Sequence, residues 1–143
     1  MLTENDIVRI AQKIANTYGP LAIGTFGSYA IGSATEKSDL DLFVIRRTSH
    51  RPVATARALH RTLFGFFHPI DIRVFTASEF EETVYQYLSF PWIVARQARL
   101  YHWTAEAARV VPSLLPRISV IEETVISERT AILSQLLKRA HST

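Results

Sequence analysis

Three aspartates lie in two short segments that are otherwise mostly apolar: Asp39 and Asp41 in DLDLFVI, and Asp71 in IDIRVFT. Because successive side chains of a strand point to opposite faces, Asp39 and Asp41 share one face, and Asp71 lies opposite the isoleucines of its own strand. If the two strands are neighbours in one sheet, the three carboxylates converge on one face.

A cluster of like charges is costly without a counter-charge, and a divalent cation is the simplest source of one. All-oxygen ligands favour hard cations such as Mg²⁺ or Mn²⁺ over zinc and copper. We therefore predict a metal site with Asp39, Asp41 and Asp71 as ligands. The alternative is that these aspartates only cap turns or pair with nearby arginines.

A second candidate site lies upstream, where the segment LAIGTF runs into Gly27 and Ser28. Glycine lets the backbone approach a ligand closely, and exposed N–H groups at a helix start favour phosphate oxygens. The Ser28 hydroxyl can donate one more hydrogen bond. A phosphate cradle beside a metal site indicates phosphoryl or nucleotidyl transfer.

The segment GSYAIGSATEKSDLDL joins the two features as Gly-Ser, ten residues, then Asp-x-Asp. This pattern resembles that of the DNA polymerase β nucleotidyltransferase superfamily, and the chain is most similar to its minimal prokaryotic members. The resemblance runs from about Leu2 to Trp103. The P-loop, the dinucleotide-binding glycine motif and the His-Glu-x-x-His zinc motif are absent from the sequence.

The resemblance implies a role for each of these residues. Asp39 and Asp41 would bind the metal engaged with the triphosphate, Asp71 would share a second, catalytic metal, and Gly27 and Ser28 would contact the β- and γ-phosphates. Two ions roughly 3.5–4 Å apart would steady the attacking hydroxyl and the leaving pyrophosphate. Asp71 could also accept the proton of the hydroxyl.

The chain departs from many relatives directly after Gly-Ser, where Tyr29 and Ile31 stand at positions that are often basic. Arg73 is the best-placed substitute for that charge because it shares a strand face with Asp71. Tyr29 could stack on the base or simply pack. Other candidates for the missing charge are Lys37, Arg46 and Arg47. The predicted nucleotide-binding residues are Gly27, Ser28, Ser38 and Arg73.

The elements that position these residues follow from hydrophobic periodicity and turn residues. Helices are predicted from a Thr3 cap to about Tyr18, from Pro52 to about Phe64, from Ser78 by its Ser-x-x-Glu spacing, and over about 118–140. Strands are predicted over 21–26, 39–45 and 69–76. Trp92 and Trp103 fall in an apolar helical pattern.

We therefore predict an α+β fold of the polymerase β type: a small mixed β-sheet, helices packed on one face, an open active face, and C-terminal helices. Residues 1–103 would form the nucleotidyltransferase core domain, and 104–143 a C-terminal helical extension of the same compact unit. The final helix could cover the sheet of its own domain, bind a partner protein or join a second copy.

Composition narrows the function classes. The 143 residues are 48% hydrophobic and 20% charged, which suits one folded domain. The absence of cysteine excludes disulfides, thiolate nucleophiles and cysteine-ligated zinc. No segment reads as a signal peptide or a membrane span, so a soluble, cytoplasmic protein is expected. The net charge of +3 includes an Arg-rich stretch at 46–61, but charge alone does not indicate nucleic-acid binding.

The resemblance implies a Mg²⁺- or Mn²⁺-dependent enzyme that transfers a nucleotide, AMP from ATP, to a hydroxyl acceptor. Stand-alone proteins of this kind resemble antitoxins that nucleotidylate small helical HEPN toxins, so a hydroxyl on such a partner protein is the leading acceptor. An aminoglycoside-type small molecule is the runner-up, although those relatives carry a larger C-terminal domain. The competing hypothesis is a partner-binding or scaffold module with a weak or inactive site.

Overall fold

The computed structural model describes residues 1–47 and 55–141, with the backbone alone at 123–126 and 141. Pro52 and part of the Arg-rich stretch therefore lie outside the described residues. The helices are α1 (Glu4–Tyr18), α2 (Ser28–Ile31), α3 (Ala56–Thr62), α4 (Ala77–Thr83), α5 (Phe90–Gln97), α6 (Ala105–Val110) and α7 (Leu115–His141), with a 3₁₀ turn at Pro112–Leu114. The strands are β1 (Ala22–Phe26), β2 (Leu40–Arg46), β3 (Ile70–Thr76) and β4 (Arg99–Trp103).

The sheet has the strand order β3-β2-β1-β4. Strand β1 runs antiparallel to β2 and β4, whereas β2 and β3 run parallel. The predicted α+β class with a mixed sheet is confirmed, and so is the prediction that the two aspartate-bearing strands are neighbours.

Helices flank both faces of the sheet, where we expected them on one. On one face, Leu42 and Val44 of β2 pack with residues of α1 and α3 such as Ile10 and Leu59. On the other, Phe43 packs in a cluster with residues of α4, α5 and the C-terminal region. The face that carries the aspartates is thus covered over the later part of β2. Its carboxylates keep access to solvent because they lie at the starts of β2 and β3.

The first helix begins at its Thr3 cap, as predicted. The Thr3 hydroxyl accepts the N–H of Asp6, and the Asp6 carboxylate accepts the N–H of Thr3. Gly19, in the left-handed region at φ +56°, ends the helix.

The start of α4 was predicted at Ser78 and this is wrong. Thr76 caps the helix, and its capping box is completed by Glu79. Both Thr76-x-x-Glu79 and Ser78-x-x-Glu81 fit the same pattern. The end of β3 at Thr76 decides between them, and the Glu81 carboxylate instead accepts the N–H and hydroxyl of Ser113.

Strand β4 is absent from the predicted elements, and the helical assignment of Trp103 is wrong. Trp103 is the last residue of β4 and pairs with Ala22 of β1. A five-residue strand directly after a helix has little periodicity of its own, and its partner lies far away in the sequence. Trp92, by contrast, is on helix α5.

Helix α7 begins at Leu115, three residues before its predicted start. Ile118 is buried and Ile121 packs against the core. Further along, Leu133 and Leu137 are 60% and 61% exposed. Within the described part of the chain, no helix combines the length and apolar character needed to cross a membrane.

Candidate active site

The parallel pairing of β2 and β3 brings the predicted carboxylates together. Asp41 and Asp71 are direct register partners, so their side chains lie on the same face of the sheet. Asp39 directly precedes β2 and is exposed, whereas Asp41 and Asp71 are half-buried.

The three carboxylates influence one another electrostatically. Burial raises the pKa of the Asp41 carboxyl above its ordinary value, and the negative charges of Asp71 and Asp39 raise it further. The positive charge of Arg73 opposes these effects. A cation near Asp41 would relieve the repulsion, so the electrostatics and the oxygen donors both fit a hard divalent ion.

The carboxylates nevertheless do not form a ready-made metal site. Across residues 1–47 and 55–141, no three His, Cys, Asp or Glu side chains are grouped closely enough to hold a metal ion. Arg73 Nη2 instead lies 3.4 Å from Asp71 Oδ2. Metal ligation by Asp39, Asp41 and Asp71 therefore stays a prediction, and in this structure Asp71 has Arg73 as its partner.

Gly27 fits against Asp41 in a way that only glycine allows. Its backbone has φ 70° and ψ −149°, a region that L side chains avoid. A Cβ atom at this position would lie 2.4 Å from Asp41 Oδ2. Because Phe26 pairs with Asp41 in the sheet, the turn at Gly27 and Ser28 begins directly beside the carboxylates. The two sites predicted from the sequence are thus adjacent.

Arg73 shares a face with Asp71, as predicted. Its guanidinium carbon lies 4.2 Å from the centre of the Phe90 ring, which in turn packs edge-on against Phe26. Phe90 was not predicted as a site residue. No local spacing signalled its position, because Phe90 reaches Arg73 through the tertiary placement of helix α5.

A cleft of ≈ 500 Å³ follows β3 between α3 and the start of α5. Arg73, Phe75, Glu79 and Phe90 are among its lining residues. The cleft lies on the Asp71 side of the carboxylates, at the edge of the sheet.

Arg46 and Arg47 were considered as substitutes for the basic residue that is missing after Gly-Ser, but both lie at the end of β2 that is far from the carboxylates. Arg46 is five residues beyond Asp41 on β2, which corresponds to about 16 Å of strand. Arg47 pairs with Glu106 and donates to the Gly19 carbonyl at 3.0 Å. Lys37 is exposed in the turn before β2. Arg46 and Arg47 are therefore not placed to replace the missing basic residue.

Tyr29 packs against the protein. Its hydroxyl accepts the N–H of Leu2 at 3.2 Å and lies 3.4 Å from His68 Nε2, which is also 3.0 Å from the Ser38 carbonyl oxygen. The Ser38 hydroxyl accepts the N–H of Thr35 at 2.9 Å. These contacts hold the turn before Asp39, so nucleotide contact by Ser38 stays a prediction.

Several solved structures have a similar fold, and two toxin-antitoxin structures are among them. One is a toxin-antitoxin structure with AMP-PNP, and the other is a mutant of the toxin-antitoxin MntA-HpeT in which two aspartates are replaced by glutamate. Each is 18% identical, covers 95% of this chain and 99% of its own, and superposes with a TM-score of 0.50. At this identity the likeness shows the fold.

A comparison with curated proteins finds no match. The family model for the nucleotidyltransferase domain matches residues 7–131. The match extends past Trp103, where we expected the resemblance to end, and reaches into α7. Because it spans most of the chain and includes the Gly-Ser turn and all three aspartates, this protein belongs to the nucleotidyltransferase domain family.

Proposed function

We propose that this nucleotidyltransferase moves a nucleotide, AMP from ATP, to a hydroxyl on a partner protein, as the antitoxin of a toxin-antitoxin pair. The observation that carries the enzymatic part is the register of the sheet. It sets Asp41 beside Asp71 and places the Gly27 turn directly against Asp41. A glycine turn against one of two paired carboxylates is an arrangement that suits phosphoryl transfer.

Asp39, Asp41 and Asp71 are the proposed ligands for Mg²⁺ or Mn²⁺. When bound, such ions neutralise charge on the phosphates and on the leaving pyrophosphate. The missing Cβ of Gly27 lets the Asp41 carboxylate lie against the turn, and the Ser28 hydroxyl would donate a hydrogen bond to a phosphate bound there. Asp71, which lies on the edge strand of the sheet, is the proposed acceptor for the proton of the incoming hydroxyl.

Arg73 has two proposed roles at the rim of this site. In the structure it balances the charge of Asp71 while its guanidinium stacks on Phe90. When Asp71 turns to a cation, the same guanidinium is released beside the site and can contact a phosphate oxygen. This exchange makes Arg73 a nucleotide-binding residue.

A protein acceptor is supported by the outer edge of β3. Leu40 pairs with Ile70 and donates its N–H to the Pro69 carbonyl. In such a parallel ladder, every second residue of β3 from Pro69 onward hydrogen-bonds to β2 through its backbone, and the residues between them point their backbone groups away from β2. The backbone groups of Ile72 and Val74 consequently face outward, and within the described residues no strand pairs with them. An extended segment of a partner could lie along this edge and bring a hydroxyl to Asp71.

The toxin-antitoxin role is supported by the two structures of similar fold, which are toxin-antitoxin complexes. One of them was crystallised with AMP-PNP, an ATP analogue, which supports ATP as the nucleotide donor. The partner in this proposal is a helical toxin of the HEPN type.

The test is transfer of label from nucleoside triphosphates that carry radiolabel on the α-phosphate. Purified protein, Mg²⁺ or Mn²⁺ and each of the four triphosphates are added to native lysate. We expect label from ATP to move to one discrete protein band. The rate of this transfer should fall about a hundredfold or more in the variant Asp39→Ala plus Asp41→Ala. Glu36→Gln, which removes an exposed carboxylate just before the site, is the matched control and should retain it.

A glycine pair tests the phosphate turn in the same assay. Gly27→Ala should abolish transfer because the new Cβ meets Asp41. Gly32→Ala also forces alanine to a positive φ, of 81°, but meets no atom within 4 Å and should remain active. If the label moved to a small molecule instead of a protein, the acceptor would be a small molecule of the aminoglycoside type and not a partner protein. Transfer that survives in the double aspartate variant would overturn the enzymatic assignment.

A further inference from the structure

A second cavity lies on the other side of the Gly-Ser turn. It has a volume of ≈ 440 Å³ and is bounded by α2, the start of β4 and helix α7. Ala30, two residues after Ser28, forms part of its wall, and Arg99 and Arg117 supply two positive charges. The cavity therefore adjoins the turn that is proposed to bind phosphate.

Arg117 carries a polar group without a partner. Its Nε is buried and makes no hydrogen bond within the described part of the chain. A buried N–H without an acceptor costs free energy, because it has lost its water and gained nothing in return. A ligand that enters the cavity can supply the acceptor, and a guanidinium is suited to phosphate oxygens because it can donate two parallel hydrogen bonds.

The other charged residues of the cavity leave Arg117 as its available cation. Arg99 Nη2 already lies 2.7 Å from Glu4 Oε1. Glu128 also lines the cavity, but it is eleven residues beyond Arg117 on α7, about 16 Å along the helix. Within the described residues no ion pair joins Arg117 to Glu128.

We propose that this cavity receives the polyphosphate tail of the nucleotide, and that Arg117 binds its terminal phosphates. Arg117 then supplies, from the C-terminal helix, the positive charge that Tyr29 and Ile31 do not supply on α2. The identity of the ligand as a nucleoside triphosphate rests on the proposed function. The affinity of the cavity for polyphosphate does not, and it can be tested separately.

The experiment measures binding of ATP, AMP and inorganic tripolyphosphate, each with Mg²⁺, by calorimetry. The variants are Arg117→Met, which keeps an apolar stem of similar length, and Arg117→Lys, which restores the charge. Arg109→Met, an exposed arginine on α6, is the control. Arg117→Met should lower the affinity for ATP and for tripolyphosphate about tenfold or more, and it should change the affinity for AMP less than about twofold. Arg117→Lys should recover part of the loss, and Arg109→Met should match wild type.

Thermal unfolding separates this role from a structural one. Because Arg117→Met removes a buried unpaired donor, the ligand-free variant should melt at or above the wild-type melting temperature. Added tripolyphosphate should nevertheless raise the melting temperature of the variant less than that of wild type. Equal ATP affinity in wild type and Arg117→Met would overturn the proposal, as would equal losses for ATP and AMP. Tripolyphosphate binding that depends on Arg117 without any nucleotide transfer would retain the cavity assignment and reject the transferase.

Discussion

At the scale of single residues, Asp41 has the least favourable electrostatic surroundings of the site. Burial and the charges of Asp71 and Asp39 raise its pKa above the ordinary 3.8. The folded state therefore binds this proton more tightly than the unfolded state does. Stability is then highest below the ordinary pKa, falls as pH rises toward the raised pKa, and stays lower above it.

Replacing Asp41 by asparagine should remove this penalty. In metal-free buffer at pH 7, Asp41→Asn is expected to melt at a higher temperature than wild type. The difference should shrink as the pH falls through the raised pKa toward 3.8, and it should vanish below 3.8, where the wild-type carboxyl is neutral in both the folded and the unfolded state. Thermal unfolding from pH 3 to 8 measures both effects, with Glu36→Gln as the control. A variant that melts below wild type at pH 7 would contradict the electrostatic account.

Added Mg²⁺ should oppose this difference in stability. An ion that binds only the folded state stabilises it by RT ln(1 + c/Kd), where c is the free ion concentration, and Asp41→Asn should bind the ion more weakly because it has lost a ligand. We expect Mg²⁺ to raise the melting temperature of wild type more than that of the variant. The same residue would then lower stability without metal and support function with it.

At the residue scale, the grouping of the candidate site residues was predictable where it depends on alternation within a strand. Asp41 and Asp71 share a face because β2 and β3 are neighbours, and Arg73 follows two residues later on the same side. Arg117 and Phe90 were not predictable in this way. Each reaches its place by tertiary packing of a helix, which no local spacing encodes.

At the scale of elements, local signals located the segments better than their ends. The Thr3 cap and the strand segments around both aspartate motifs were correct because each depends on residues a few positions apart. The start of α4 was misplaced because two cap signals compete over residues 76–81. Strand β4 was missed because it becomes a strand by pairing with β1, more than seventy residues earlier.

The two competing caps of α4 can be separated by mutation. The Thr76 hydroxyl accepts the N–H of Glu79, and the Glu79 carboxylate accepts the N–H of Thr76. Thr76→Ala should therefore lower the free energy of unfolding by about 1 kcal/mol. Ser78→Ala, at an exposed position within the helix, should leave it unchanged or raise it slightly. Denaturant unfolding of both variants measures the difference, and the opposite order would restore Ser78 as the cap.

At the scale of the whole molecule, helix α7 divides into two parts with different surroundings. Its first turns supply Ile118 and Ile121 to the core and Arg117 to the cavity beside α2. Further along, four apolar side chains are exposed by 54–61%. These are Ile132, Leu133, Leu136 and Leu137. The first part of the helix therefore helps to cover its own sheet, and we expect the exposed part to be the one that binds another chain.

The exposed part of α7 should contribute to association and not to folding. Leu133→Glu plus Leu137→Glu changes side chains that are 60% and 61% exposed, so the free energy of unfolding should move by less than about 0.5 kcal/mol per site. Ile118→Glu, at a position only 5% exposed, should unfold the protein and serves as the contrast. Sedimentation of the isolated chain should show concentration-dependent self-association that the double variant loses, because an apolar stripe without its partner pairs with itself. Strong destabilisation by the double variant would instead place this part of the helix against the body of its own domain.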